Sequence, residues 1–168
     1  MPSNFLTQCL KLSIVPLFYF CHFSSFGQDS IYINKNKRAI TKYFDLVINA
    51  HNLNQKDGFF QKDYIWHSMD GKDVHSIQDS GHIATLRWLF AAIPDVHYTI
   101  DHLVAEGDVV AVNTTGTGTA RSEMFGLPAA QKKVSYRQMF FYRLKDGKII
   151  EQWEVVDAGG LKAKLEEK

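Results

Sequence analysis

Two turn dipeptides constrain this chain more than any other feature. Gly107-Asp108 and Asp146-Gly147 each stand between long runs in which apolar and polar residues alternate. A Gly/Asp pair between alternating runs signals a β-hairpin, because the tight turn needs residues that tolerate left-handed backbone. Four strands follow from this: Val96 to Glu106, Val109 to Thr119, Val134 to Lys145 and Lys148 to Asp157. Helical patterns come before them. Ile40, Tyr43, Phe44, Val47 and Ile48 recur at helical spacing between Ala39 and Leu53. Ile83, Leu86, Leu89 and Phe90 form a second stripe, with Ser80 as its cap and Pro94-Asp95 as its stop. Tyr64 to His67 reads as a short strand, and Ser68 to Ser80 as a loop rich in Asp, Gly, Ser and His. Helices first and antiparallel strands after define an α+β domain, with the helices packed on one face of the sheet.

The chain has 168 residues, enough for one domain with its own core. Met1 to Gly27 differs from the rest. It holds one charge, Lys11, followed by a short apolar run and then Ser25-x-Gly27. That is the pattern of a signal peptide cut before Gln28; the alternative is an uncleaved membrane anchor, for which the run is short. The expected organisation is a signal peptide over 1–27, a loose polar leader over 28–38 and a folded domain over 39–168. The mature protein is then exported, periplasmic or extracellular, with no stable membrane insertion. Cys9 and Cys21 both fall in the removed segment, so the mature chain has no thiol chemistry. Basic residues number 19 and acidic residues 18. Loss of Lys11 makes the two equal, which leaves no basic field for nucleic acid.

The hairpins can be registered from their turns. With a two-residue turn at Asp146-Gly147, Tyr142 faces Glu151, Phe140 faces Trp153, Gln138 faces Val155 and Tyr136 faces Asp157. Opposed residues share a face. That face is aromatic, and Asp157 at its end is expected to lose hydration and gain proton affinity, as a general acid or base needs. Asp157 also stands just before a helical tail at Ala158, where an aspartate serves equally as a cap. The first hairpin, registered the same way, sets His102 opposite Asn113 beside Tyr98, Ile100 and Val104. This pair reads either as a carbonyl-binding site or as a satisfied core contact.

His67, His75 and His82 accompany Asp70, Asp73 and Asp79, but no two of the histidines have the i, i+4 spacing of a strong metal motif. No metal site is expected, and His67 is the histidine expected at a pocket mouth. There is no Gly-x-Ser-x-Gly elbow, phosphate-binding glycine loop or dinucleotide fingerprint.

Several short motifs occur in a telling order: Tyr64-Ile65-Trp66-His67, Ile93-Pro94-Asp95, Glu106-Gly107-Asp108-Val109-Val110-Ala111, Phe125-Gly126-Leu127-Pro128 and Asp146-Gly147-Lys148-Ile149-Ile150-Glu151. The last runs on into Trp153-x-x-x-Asp157. Over about Ala39 to Leu165 the chain resembles the SnoaL-like polyketide cyclase, or ester cyclase, group of the nuclear-transport-factor-like and ketosteroid-isomerase-like superfamily. The resemblance implies a cone of helices against a curved antiparallel sheet and chemistry without a cofactor. It also matches Asp157 to the acid/base aspartate of the cyclases, and implies a homodimer formed through the open sheet face with Met139, Phe141 and Ile150. The chain departs from the family pattern at Gly116-Thr117-Gly118, where many relatives read Gly-Thr-His, so one polar pocket residue is missing.

Two functions are expected on these grounds. One is acid/base catalysis by Asp157 on a small apolar carbonyl compound, as in a cyclase or isomerase. Tyr136, Gln138, Phe140 and Trp153 then line the pocket, His67 stands at its mouth, and His102 and Asn113 add polar contacts. The other is a non-catalytic exported protein holding a small apolar ligand in the same pocket.

Overall fold

The computed structural model describes residues 25–75, 81–124, 126–129 and 131–167. The apolar segment up to Ser24 and the expected Ser80 cap lie outside these residues. Among the described residues, no helix is long and apolar enough to cross a membrane.

The first helix, α1, runs Ser25–Tyr43. It thus takes in the segment 28–38, which was expected to be a loose leader. The correction has a simple cause. Asn36, Ile40, Tyr43 and Phe44 fall on one helical face and all are buried. The Asn36 amide also reaches the carbonyl of Gly107 in the first hairpin turn, at 3.5 Å. The polar residues between them face water. The last turn widens to π geometry over Phe44–Ile48. Beyond it, Asn49 brackets Tyr98, donating to its carbonyl at 3.0 Å and accepting from its N–H at 2.8 Å. A 3-10 helix, Leu53–Gly58, leads into the sheet.

Six strands follow: β1 Phe60–His67, β2 Asp73–Val74, β3 His97–Glu106, β4 Val109–Ala120, β5 Lys132–Lys145 and β6 Lys148–Val156. Their order is β2-β1-β6-β5-β4-β3 in one curved, unclosed sheet. All neighbours are antiparallel except β1 and β6, which run parallel. Helix α2, Gly81–Ala92, follows β2 and buries Ile83, Leu86 and Leu89. Helix α3, Ala158–Glu166, buries Leu161 and Leu165. The α+β cone expected from the sequence is the observed architecture.

Both hairpin turns sit where expected, with Glu106 facing Val109 and Lys145 facing Lys148. Both registers then slip by one residue. In the first, the ladder shifts between Ile100 and His102. In the second, Leu144 faces Ile149 but Arg143 faces Glu151, so Ile150 is an extra residue in β6. Each is a β-bulge, which sharpens the local bend of a strand. The bulges occur where long strands must curve around the core, and each exchanges the faces of every residue beyond it.

Candidate functional site

The bulge at Ile150 decides what the inner face of the sheet carries. Beyond it, Gln152 and Glu154 turn inward opposite Tyr142 and Phe140, while Trp153 and Val155 turn outward opposite Phe141 and Met139. The inner face, α2 and the start of α3 enclose a cavity of about 520 Å³. Tyr98, Tyr136, Gln138, Phe140 and Glu154 line it from the sheet, Trp66 from β1, and His82, Leu86 and Leu89 from α2. Met69 and the half-exposed Trp88 stand at its rim.

Glu154 is the buried carboxyl of this cavity. Gln152 Nε2 donates to its Oε2 at 3.1 Å and Gln138 Nε2 at 3.4 Å. Burial raises its pKa to about 7, and this outweighs the lowering effect of Gln152, Trp66 and Gln138. The Trp66 indole N–H is buried beside it and completes no hydrogen bond of its own. His82 Nδ1 lies 3.7 Å from Glu154 Oε2, but burial drives the His82 pKa down to about 3, so the ring is neutral near pH 7.

The hydrogen bonds fix the His82 tautomer. Tyr64 OH donates to Gln152 Oε1 at 3.0 Å, which leaves the Gln152 NH₂ to face Glu154 and His82 Nδ1, the latter at 3.1 Å. His82 Nδ1 is therefore an acceptor, and Nε2–H donates to Tyr43 OH at 2.8 Å. Burial holds the Tyr43 and Tyr64 hydroxyls well above the usual phenol range, so both stay protonated. The carboxyl thus sits among neutral donors, with no cationic partner on the inner wall among the described residues.

The expected site residues divide into two groups. Tyr136, Gln138 and Phe140 line the cavity. The others do not. Trp153 lies on the outer face, stacked on His67 at 4.3 Å. His67 bonds Asp73 at 2.7 Å and Glu151 at 3.3 Å, so it is held outside rather than at the mouth. His102 and Asn113 do face each other, at 3.5 Å, but on the outer side, because the first bulge separates them from Tyr98 and Ile100. Asp157 lies past the end of β6, exposed, where it caps α3 by accepting from Gly160 N–H at 2.8 Å. Of its two readings, pocket carboxyl or cap, the geometry is that of the cap. The register that set Asp157 beside Tyr136 lacks the Ile150 bulge.

Glu154, His82, Gln152, Tyr98 and Trp66 were not among the expected site residues. For Gln152 and Glu154 the available signal was their alternation along β6; His82, Tyr98 and Trp66 lie on other elements and carried none. Among the described residues, no cluster of three or more His, Cys, Asp or Glu has metal-site geometry. Gly118 marks the far end of β4. A Cβ there would come within 2.4 Å of Ile93 and 3.1 Å of the Val96 backbone.

The family model for the SnoaL-like polyketide cyclases matches residues 37–165. The chain belongs to this family. Solved structures of similar shape include AclR from Streptomyces galilaeus, named as a candidate hydroxylase. It is 24% identical with a TM-score of 0.70, over 79% of this chain and 96% of its own. IdmH from Streptomyces antibioticus, named as a candidate polyketide cyclase, is 22% identical with a TM-score of 0.69, over 77% of this chain and 97% of its own. A candidate SnoaL-like cyclase from Jannaschia sp. CCS1 is 20% identical with a TM-score of 0.71, over 81% and 94%. No curated protein matches the chain. These likenesses to solved structures establish the SnoaL-like cone and leave the chemistry to the residues inside it.

Proposed function

We propose that this SnoaL-like protein transfers protons on a small apolar carbonyl compound, with Glu154 as the acid/base group. One observation carries the reading: a buried carboxyl, with its pKa raised to about 7, on the wall of a mostly apolar cavity. In the ionised form Glu154 takes a proton from the carbon next to the carbonyl. The C–H electron pair becomes the carbon–carbon double bond of an enolate, and the charge moves to oxygen. The Trp66 N–H, buried beside the carboxyl and without a hydrogen-bond partner, is the donor assigned to that oxygen in this reading. The enolate carbon then either regains a proton from Glu154, restoring the ketone with its α-proton exchanged, or attacks a second carbonyl, and Glu154 gives its proton to the alkoxide formed.

The test uses β-tetralone, an apolar ketone with acidic α-protons. NMR in D₂O would follow their exchange with and without the protein. Glu154→Gln is expected to lower the protein-catalysed rate by about 100-fold or more. An undiminished rate in Glu154→Gln would remove the role from this residue. A wild-type protein that binds the ketone without exchanging it would support the non-catalytic binding reading. That second reading has its own observation, since Tyr98 and Tyr136 spend hydroxyl protons on each other and on Gln138.

The outer sheet face fits a second copy of the chain. Met139, Phe141 and Val155 are adjacent there and each is more than half exposed. Sedimentation is expected to show a dimer that Phe141→Lys dissociates; a wild-type monomer at high concentration would count against it.

A further inference from the structure

The cavity wall holds a chain of polar groups whose direction is set at one end. Gln138 Nε2 lies 3.4 Å from Glu154 Oε2, Tyr98 OH lies 2.8 Å from Gln138 Oε1, and Tyr136 OH lies 2.8 Å from Tyr98 OH. All four residues line the cavity. An ionised carboxylate only accepts hydrogen bonds, so Gln138 must turn its NH₂ toward Glu154 and its carbonyl toward Tyr98. The carbonyl also only accepts, so Tyr98 must give it its single proton. The Tyr98 oxygen is then free only to accept, and Tyr136 must be the donor between the two hydroxyls. Burial keeps both phenols protonated: Tyr98 is raised well above the usual phenol value and Tyr136 to about 12. Tyr136 is left with lone pairs and no proton for a ligand.

We infer that Tyr136 is a specificity-determining acceptor, and that the cavity selects carbonyl compounds that also bear a hydroxyl group able to donate to it. This rests on the reading of Glu154 as an ionisable group facing the ligand, and it adds to that reading which second functional group the ligand carries. A ligand presenting an ether or a second carbonyl at that point meets lone pairs with lone pairs. The cost is that of an unmade hydrogen bond inside a mostly apolar cavity.

The test is equilibrium binding, by calorimetry at about pH 9, where Glu154 is ionised. The probes are β-tetralones carrying a hydroxyl at each aromatic position in turn, each paired with its methyl ether, which occupies the same place without a donor. For at least one position the wild type is expected to bind the phenol about threefold to tenfold more tightly than its ether. Tyr136→Phe, checked for folding by thermal melting, is expected to bring that ratio to about one. Gln138→Leu frees the Tyr98 proton to point at Tyr136, which lets Tyr136 donate as well as accept, and the ratio is again expected to fall toward one.

Equal binding of every phenol and its ether by the wild type would overturn the inference. So would a preference for ethers, or a phenol preference that survives in both variants. Binding of none of the probes would overturn it together with the pocket reading. The two readings fail separately otherwise. A phenol preference without α-proton exchange leaves the acceptor standing and removes the catalysis, and exchange without a phenol preference does the reverse.

Discussion

Glu154 and Asp157 are three residues apart on one strand and its exit, and they live in different solvents. Glu154 faces Phe140 across the ladder, is nearly inaccessible, and has its pKa raised to about 7 by burial. Asp157 stands in water with one oxygen on the first turn of α3. The same functional group gains proton affinity in one place and caps a helix in the other. What separates them is which side of the sheet each position faces, and one inserted residue, Ile150, sets that.

The contrast can be broken most deeply through pH. Glu154 holds its proton more tightly in the folded protein than unfolded, with its pKa raised from 4.5 to about 7. Its contribution to stability is therefore complete below pH 4.5 and is lost as pH rises toward 7, by up to about 3 kcal/mol. His82 acts in the opposite sense. Its pKa falls from 6.5 to about 3 on folding, so its contribution is complete above pH 6.5 and is lost as pH falls. The two slopes oppose each other between pH 4.5 and 6.5. Urea unfolding across that window is expected to show little change for the wild type and a stability that climbs with pH for Glu154→Gln. At pH 8 the variant is expected to be the more stable by about 1–3 kcal/mol. Parallel curves for the two proteins would mean that Glu154 is not held protonated by the fold.

A smaller effect sharpens the other side. Asp157→Ala removes one accepting oxygen from the start of α3 and is expected to cost about 1 kcal/mol in urea unfolding. The exchange of β-tetralone protons is expected to be unchanged in that variant. A collapse of exchange with the fold intact would return Asp157 to the chemistry.

The sequence made the architecture legible because its evidence is local. Gly107-Asp108 and Asp146-Gly147 mark turns by the backbone they tolerate, and Asp146 and Gly147 both have positive φ, at 54° and 78°. The stripe of Ile83, Leu86 and Leu89 reads as a helix without knowledge of its partner. Tyr136, Gln138 and Phe140 share the inner face because they alternate along β5, which has no bulge against β4. Beyond Ile150 and Ile100 the alternation of faces changes parity. No residue there announces a bulge: Ile150 is an ordinary strand residue, and Trp153 and Val155 are more apolar than the Gln152 and Glu154 that displace them from the interior. A strand's bend is set by the layer it wraps, which is information from distant parts of the chain. The helical state of 28–38 was hidden for a related reason, since its support comes from Asn36 meeting a turn 71 residues away.

At Gly118, near the end of β4, the space that a side chain would need is already taken. Ile93 already occupies the volume a side chain would enter, and the Val96 backbone closes in behind it. The two positions therefore depend on each other. A side chain at 118 is blocked until Ile93 shrinks, and a shrunken Ile93 alone leaves a hole in the core. A side chain can be brought into this corner only by changing both positions together.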